Sequence, residues 1–243
     1  AYGEGELPRF TNTSARDMNG NCFRLAGDYL ILENLHFHDT PGDPTGIFVM
    51  TAIGAVRILY GAEHNIVRDN EFMKCPQGIL SAGEHTLITG NYMDGPSDAI
   101  WNDGTNSWGP MGIHLNIGNQ EVSYNIIKNH LTLDSPYGSD GSAIELDNGN
   151  YHKSNIYIHH NYTEGNAGFL ESSWLYDWPR QAQEVYDLRV AFNISYDGQD
   201  WLYMWAPCHN VYFDNNTVIR SNQFGCPPQA DDVALLHVQG GSP

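Results

Sequence analysis

Four residues recur at one place in the sequence and carry its chemistry: His114, Glu145, Glu171 and Tyr203. Each sits in a short segment of the form small, apolar, variable, apolar: Gly112-Ile113-His114-Leu115, Ala143-Ile144-Glu145-Leu146, Phe169-Leu170-Glu171 and Trp201-Leu202-Tyr203-Met204. In a strand whose apolar residues turn inward, the residue between them points outward. The earlier segments Gly46-Ile47-Phe48-Val49 and Gly78-Ile79-Leu80 put Phe48 and Leu80 at the same place, and Val233-Ala234-Leu235 closes the series. If these are neighbouring strands, the outward side chains form a row with members about 4.8 Å apart. Two carboxylates at that spacing repel unless a cation or a shared proton relieves them. Glu145 and Glu171 are therefore expected to bind a cation or move a proton. Around the row the sequence adds Asn116, Asp147, Lys153, Trp174, Trp178 and Trp205. Rings for sugar faces beside carboxylates for calcium or proton transfer describe a polysaccharide site.

A second repeat supplies the elements that would hold this row. Seven Asn residues each follow a β-branched or aromatic residue by three positions: Ile31 and Asn34, Val67 and Asn70, Ile88 and Asn91, Val122 and Asn125, Ile158 and Asn161, Val190 and Asn193, Phe213 and Asn216. An Asn side chain bonds the backbone around a tight bend, tolerates the left-handed conformation and can stack on an Asn above it. Units of this size cannot bury a core alone and share one when stacked. The expectation is an all-β chain, a right-handed single-stranded parallel β-helix of about seven coils with an Asn ladder, forming one domain over residues 1–243. The hand follows from the chirality of parallel crossovers. The stretches from Asp39 to Pro44, Asp94 to Gly112, Asp134 to Gly141 and Trp174 to Glu184 read as loops grown out of the coils. His64, His85 and His209 lie six or seven residues before a repeat Asn and are expected to be structural.

Composition narrows the partners. Lys and Arg number 11 against 29 Asp and Glu, a net charge of −18, which argues against nucleic acid and anionic membrane surfaces. No apolar run reaches the length of a membrane helix. The chain starts at Ala1-Tyr2-Gly3, read as a secreted protein after removal of a leader, or as a fragment. Cys22, Cys75, Cys208 and Cys226 show no CxxC spacing, and two disulfides, Cys22 to Cys75 and Cys208 to Cys226, are expected. Of the sequons, Asn12 and Asn215 could accept a glycan, while one on Asn161 or Asn193 would break the stack.

The coil phrases Gly27-Asp28-Tyr29-Leu30-Ile31-Leu32-Glu33-Asn34-Leu35-His36-Phe37 and His64-Asn65-Ile66-Val67-Arg68-Asp69-Asn70-Glu71-Phe72 resemble the pectate-lyase-like parallel β-helix superfamily. Within it, Asn116 followed one coil later by Glu145-Leu146-Asp147 and then Lys153 is similar to the chondroitinase-B-like and alginate lyases. That resemblance implies calcium held by Asn116, Glu145 and Asp147, with Lys153 as the base. The second acid is Asp where the family has Glu, Lys153 lies slightly late, and Arg180 does not fall where the family's assisting Arg does. The implied reaction is β-elimination from a uronate in an extracellular polysaccharide. Lys153, His114, Glu171 and Tyr203 are the candidate catalytic residues. Trp174, Trp178, Trp205 and Arg180 are the candidate substrate-binding residues.

Two other functions fit the same residues. Glu145 and Glu171 could serve as acid and nucleophile of a retaining glycoside hydrolase, whose carboxyls stand about 5 Å apart. A non-catalytic carbohydrate-binding or structural β-helix would stack end to end through open sheet edges into fibres.

Overall fold

The computed structural model describes residues 5–12, 20–42, 53–96, 98–136, 138–147, 152–172, 184–226 and 236–238. They are all β, with a single 3-10 turn at Asn222–Phe224. Three parallel sheets hold nearly every strand. Sheet I consists of Phe23–Leu25, Val56–Ile58, Gln77–Ser81, Met111–Leu115, Ser142–Glu145, Gly168–Ser172, Leu202–Met204 and Leu236–Val238. Sheet II takes Ile31–Glu33, Ile66–Arg68, Thr86–Thr89, Gln120–Ser123, His152–His159 and Glu184–Ala191, with Cys208–His209 and Tyr212–Asp214 both beside the last. Sheet III takes Arg9–Phe10, His36–His38, Glu71–Met73, Tyr92–Asp94, Ile126–Lys128, Tyr162–Glu164, Ile194–Asp197 and Thr217–Arg220. The chain passes from I to II to III and back to I, and each strand lands beside its counterpart from the previous pass.

Alternation along these short strands fills one shared core. Ile79, Ile113, Ile144, Leu170 and Leu202 enter it from sheet I, Val67, Ile88, Val122, Ile158 and Val190 from sheet II, and Phe37, Phe72, Met93 and Ile127 from sheet III. The expected segment Gly46 to Val49 and the residues Val233 to Leu235 lie outside the described residues. Phe23–Leu25 and Val56–Ile58 supply the first two strands of sheet I, and Leu236–Val238 the last.

Every crossing from sheet II to sheet III takes two residues. The first adopts a left-handed backbone: Asn34, Asp69, Gly90, Tyr124, His160, Phe192 and Asn215. The second is buried in all but the last crossing, where Asn216 is half-buried, and from Asn70 onward it is always Asn. Asn70, Asn91, Asn125, Asn161 and Asn193 each donate through Nδ2 to Oδ1 of the next Asn at 3.0 Å, the last acceptor being Asn216. The first crossing departs from the sequence reading by one residue. Ile31 pairs with Ile66 rather than with Val67, so Asn34 occupies the left-handed position and the Leu35 amide donates to Asn70 Oδ1 at 3.1 Å. Asn fits both corner positions, and its type alone could not tell them apart.

A second left-handed column runs along sheet II: Tyr29, His64, His85 and Asn119 just precede its strands, while Asn155 and Asp187 lie within the longer ones and Asn210 between the last two. The rings of Tyr29, His64 and His85 stack at 4.9 and 4.7 Å, in line with the structural role expected of the two His. His209 lies one place earlier, in a strand, and stacks on Tyr186 at 4.5 Å. A further buried ladder was not read from the sequence. Asn166 Nδ2 donates to Asp197 Oδ1 at 2.9 Å, and Asp197 also accepts from the hydroxyls of Thr163 and Ser195.

Of the expected loops, the one from Asp94 to Gly112 contains a hairpin, Trp101–Asn102 against Ser107–Trp108. Thr132 and Asp140 bridge across the loop that contains Asp134. All four cysteines are free thiols, so neither expected disulfide is formed. Burial pushes the Cys75 thiol up to about 12, and Cys208 Sγ donates to the Ala206 carbonyl at 3.1 Å instead of facing Cys226.

Candidate functional site

The register of sheet I builds one continuous outward row. Arg24 pairs with Arg57, Arg57 with Leu80, Leu80 with His114, His114 with Glu145, Glu145 with Glu171, and Glu171 with Tyr203. His114, Glu145, Glu171 and Tyr203 are thus consecutive, as their spacing predicts. Phe48 lies outside the described residues, and Arg57 holds the place before Leu80. Pointing away from the core has not exposed the middle of this row. His114 is 0% exposed, Glu145 4%, Asp147 1% and Lys153 0%, whereas Glu171 and Tyr203 keep part of their surface in solvent.

His114 is fixed through both ring nitrogens. Nε2 lies 3.0 Å from the Asp147 carbonyl oxygen, which can only accept, so the proton is on Nε2. Nδ1 then accepts from Gln77 Nε2 at 2.8 Å. Burial, and to a lesser degree Lys153, hold the imidazole down at about 3. Bonded at both nitrogens, the ring positions the Asp147 peptide.

The carboxylates crowd one another. Burial, Asp147 and Glu171 raise Glu145 well above the ordinary carboxylate range, although Ser142 Oγ donates to its Oε1 at 2.8 Å. Glu171 is raised by its surroundings in the same way, then by Asp147, Asp140 and Asp200. Asp140, which accepts from Ser107 Oγ and the Gly141 amide, is pushed by burial up to about 6. Lys153 faces Asp147 electrostatically, and burial brings its ammonium down to about 8. Lys153 opposes Val185, a core residue, on the neighbouring strand. Residues directly opposed in parallel strands face the same side, so Lys153 comes to Asp147 from the core side and not from the outward face.

Asn116 is buried beside this group. Asn116, Glu145 and Asp147, the ligands that the resemblance implies, all carry oxygen donors of the kind calcium takes. Among the described residues no three His, Cys, Asp or Glu side chains already enclose a metal position. Trp205 is half-buried with its ring 5.1 Å from that of Tyr203, at 66°, which sets two aromatic faces beside Glu171. Trp174, Trp178 and Arg180 lie outside the described residues.

Gln77, Ser142, Asp140 and the arginine pair were not singled out in the sequence. Ser142 sits three residues before Glu145 and Gln77 three before Leu80, at the start of their strands. That repeated offset was the available signal.

No protein-family model matches the chain, and neither a curated protein nor a solved structure is significantly similar to it.

Proposed function

We propose that this chain is a secreted right-handed parallel β-helix of about seven coils, and that it binds and cleaves a uronate-containing extracellular polysaccharide by calcium-dependent β-elimination on the outward side of sheet I. Three parallel sheets entered in fixed order support the fold reading, and its hand follows the rule for parallel crossovers.

The observation that carries the functional reading is charge. Asp140, Glu145, Asp147 and Glu171 act on one another, Glu145 and Asp147 buried and the other two half-buried, with Lys153 against Asp147. Such a group is stable only with protons or a hard cation added. Asn116, Glu145 and Asp147 would hold calcium, whose charge there would offset a uronate carboxylate and acidify the adjacent C5 proton. His114 holds the Asp147 backbone that carries one of these donors. Tyr203 and Trp205 offer ring faces to the sugar. A base takes the C5 proton, the C5–H electron pair forms the C4–C5 double bond, and the C4–O bond breaks with its oxygen leaving to be protonated; Lys153 is the base that the resemblance implies, and its burial on the core side makes it the residue to test.

A second reading follows from the inward placement of Lys153. Glu145 and Glu171, adjacent and raised together, would serve as nucleophile and acid of a retaining glycoside hydrolase, with no lysine needed. One assay separates the two. Alginate, pectate, chondroitin and dermatan are incubated with calcium or a chelator, and both reducing ends and the ultraviolet absorbance of unsaturated uronate are followed. Reducing ends with calcium-dependent absorbance, lost in Lys153→Ala, are expected. Reducing ends without absorbance would replace the lyase by the hydrolase, and neither signal would refute cleavage of these polymers.

A further inference from the structure

Among the described residues Arg9 pairs with Glu6, Arg68 with Glu33 and Arg189 with Asp214. Like Arg220, Arg57 forms no such pair among them. It is half-buried between the core residues Val56 and Ile58, and its buried Nε has no hydrogen-bond partner among the described residues. Directly beside it in the outward row stands Arg24, a like charge. Burial first, and Arg24 second, hold the Arg57 guanidinium below its ordinary range. An unpaired, partly desolvated charge next to another of the same sign costs stability. Binding sites commonly keep side chains at such a cost to the free protein's stability.

We infer that Arg57, with Arg24 beside it, is the subsite that receives a carboxylate of the bound polysaccharide, remote from the position of cleavage. The inference rests on sheet I being the substrate face. Arg57 lies in the same outward row as Glu145, three strands away, or about 14 Å at the usual strand spacing. A guanidinium fork matches a carboxylate in two parallel hydrogen bonds. A uronate polymer carries a carboxylate on every acidic unit, so a chain lying across the strands brings one to each end of the row. The subsite also answers the charge problem of the protein. At −18 overall it repels a polyanion, and the positive charge of Arg57 and its neighbour Arg24 supplies local attraction. The two ends of the row then differ in sign, which fixes the direction in which the polymer lies.

Binding of alginate, polygalacturonate and chondroitin, and of their carboxyl-reduced neutral counterparts, is measured by calorimetry in the presence of chelator, so that calcium and turnover do not contribute. The expected result is that the wild type binds at least one acidic polymer and not its neutral counterpart. Arg57→Gln should weaken that binding about tenfold or more, with Arg57→Lys intermediate. In the absence of polymer Arg57→Gln should unfold at a higher temperature than the wild type, because it removes an unpaired charge. Equal binding by wild type and Arg57→Gln, equal binding of the neutral polymers, a lowered unfolding temperature, or sulfate binding without polymer binding would each overturn the inference. If cleavage fails but Arg57-dependent binding persists, the subsite stands and the lyase reading falls.

Discussion

Replacing Asn125 by Ala tests how the corner ladder holds the three sheets together. Asn125 Nδ2 donates to the Ile88 carbonyl and to Asn161 Oδ1, both at 3.0 Å, and its Oδ1 accepts from the Asn91 amide and from Asn91 Nδ2, also at 3.0 Å. In Asn125→Ala, Asn161 Oδ1 keeps the Asn125 backbone amide and Asn91 Nδ2 keeps the Val67 carbonyl. The Asn91 amide and the Ile88 carbonyl are left without these partners in a site closed to water. At about 1 to 3 kcal/mol for each buried group left unsatisfied, the variant should lose about 2 to 6 kcal/mol. Asn34→Gly is the control. Asn34 is off the ladder with φ at 56°, a conformation glycine adopts freely, so it should change stability by less than about 0.5 kcal/mol. Urea unfolding, followed by circular dichroism and tryptophan fluorescence to check that the transitions coincide, measures both. A loss below about 1 kcal/mol in Asn125→Ala, or equal losses in the two variants, would refute the ladder as the load path of the corner.

Three further outcomes follow. His130 is buried and held at about 4, chiefly by burial, with Asn166 and Asp94 acting in the opposite direction. The unfolded imidazole titrates near 6.5, so the unfolded state takes up the extra proton first, and stability falls as pH drops from about 6.5 to about 4, by about 3 kcal/mol in all. His130→Leu should show a flatter loss over that window in unfolding measured at stepped pH, and an unchanged slope would refute this account. Gly118→Ala puts a methyl against the Ser154 carbonyl and 2.6 Å from its nitrogen. It should cost about 1 to 3 kcal/mol and lower any cleavage with it, since the displaced strand carries Lys153; unchanged thermal stability would sink that argument. Glu145→Gln removes one of several crowded charges while keeping an acceptor for Ser142. It should raise the thermal midpoint of the ligand-free protein and abolish calcium-dependent stabilisation in the same melt, and a lower midpoint would contradict the crowding.

The repeat was legible because alternation and corner chemistry both act within a few residues. The order His114, Glu145, Glu171, Tyr203 came straight from the small-apolar-variable-apolar pattern, and the Asn column from the bend. The one-residue slip at Asn34 arose because Ile31 and Leu32 are both apolar, and only pairing with Ile66 and Val67 decides which faces the core. Burial of the row was not legible. A residue pointing away from one core can still be enclosed by partners distant in sequence, as His114 is by Gln77 and Asp147. The inward side of Lys153 was hidden for a related reason: the left-handed residue Asn155 interrupts alternation two positions later, and a lysine in a core register contradicts every local preference. The Asn166–Asp197 ladder escaped because its members have no common sequence offset from the strands they cap.

The two-residue crossing between sheets II and III never changes length, whereas the connections on either side of sheet I range from three residues, as between Met204 and Cys208, to the long span between His38 and Val56. Irregularity in the period is thus confined to the borders of one face. Insertions or substitutions can lengthen or recompose those borders without disturbing the seam that keeps the passes aligned. The molecule divides into a frame resistant to change and a margin open to innovation, and the margin surrounds the acids.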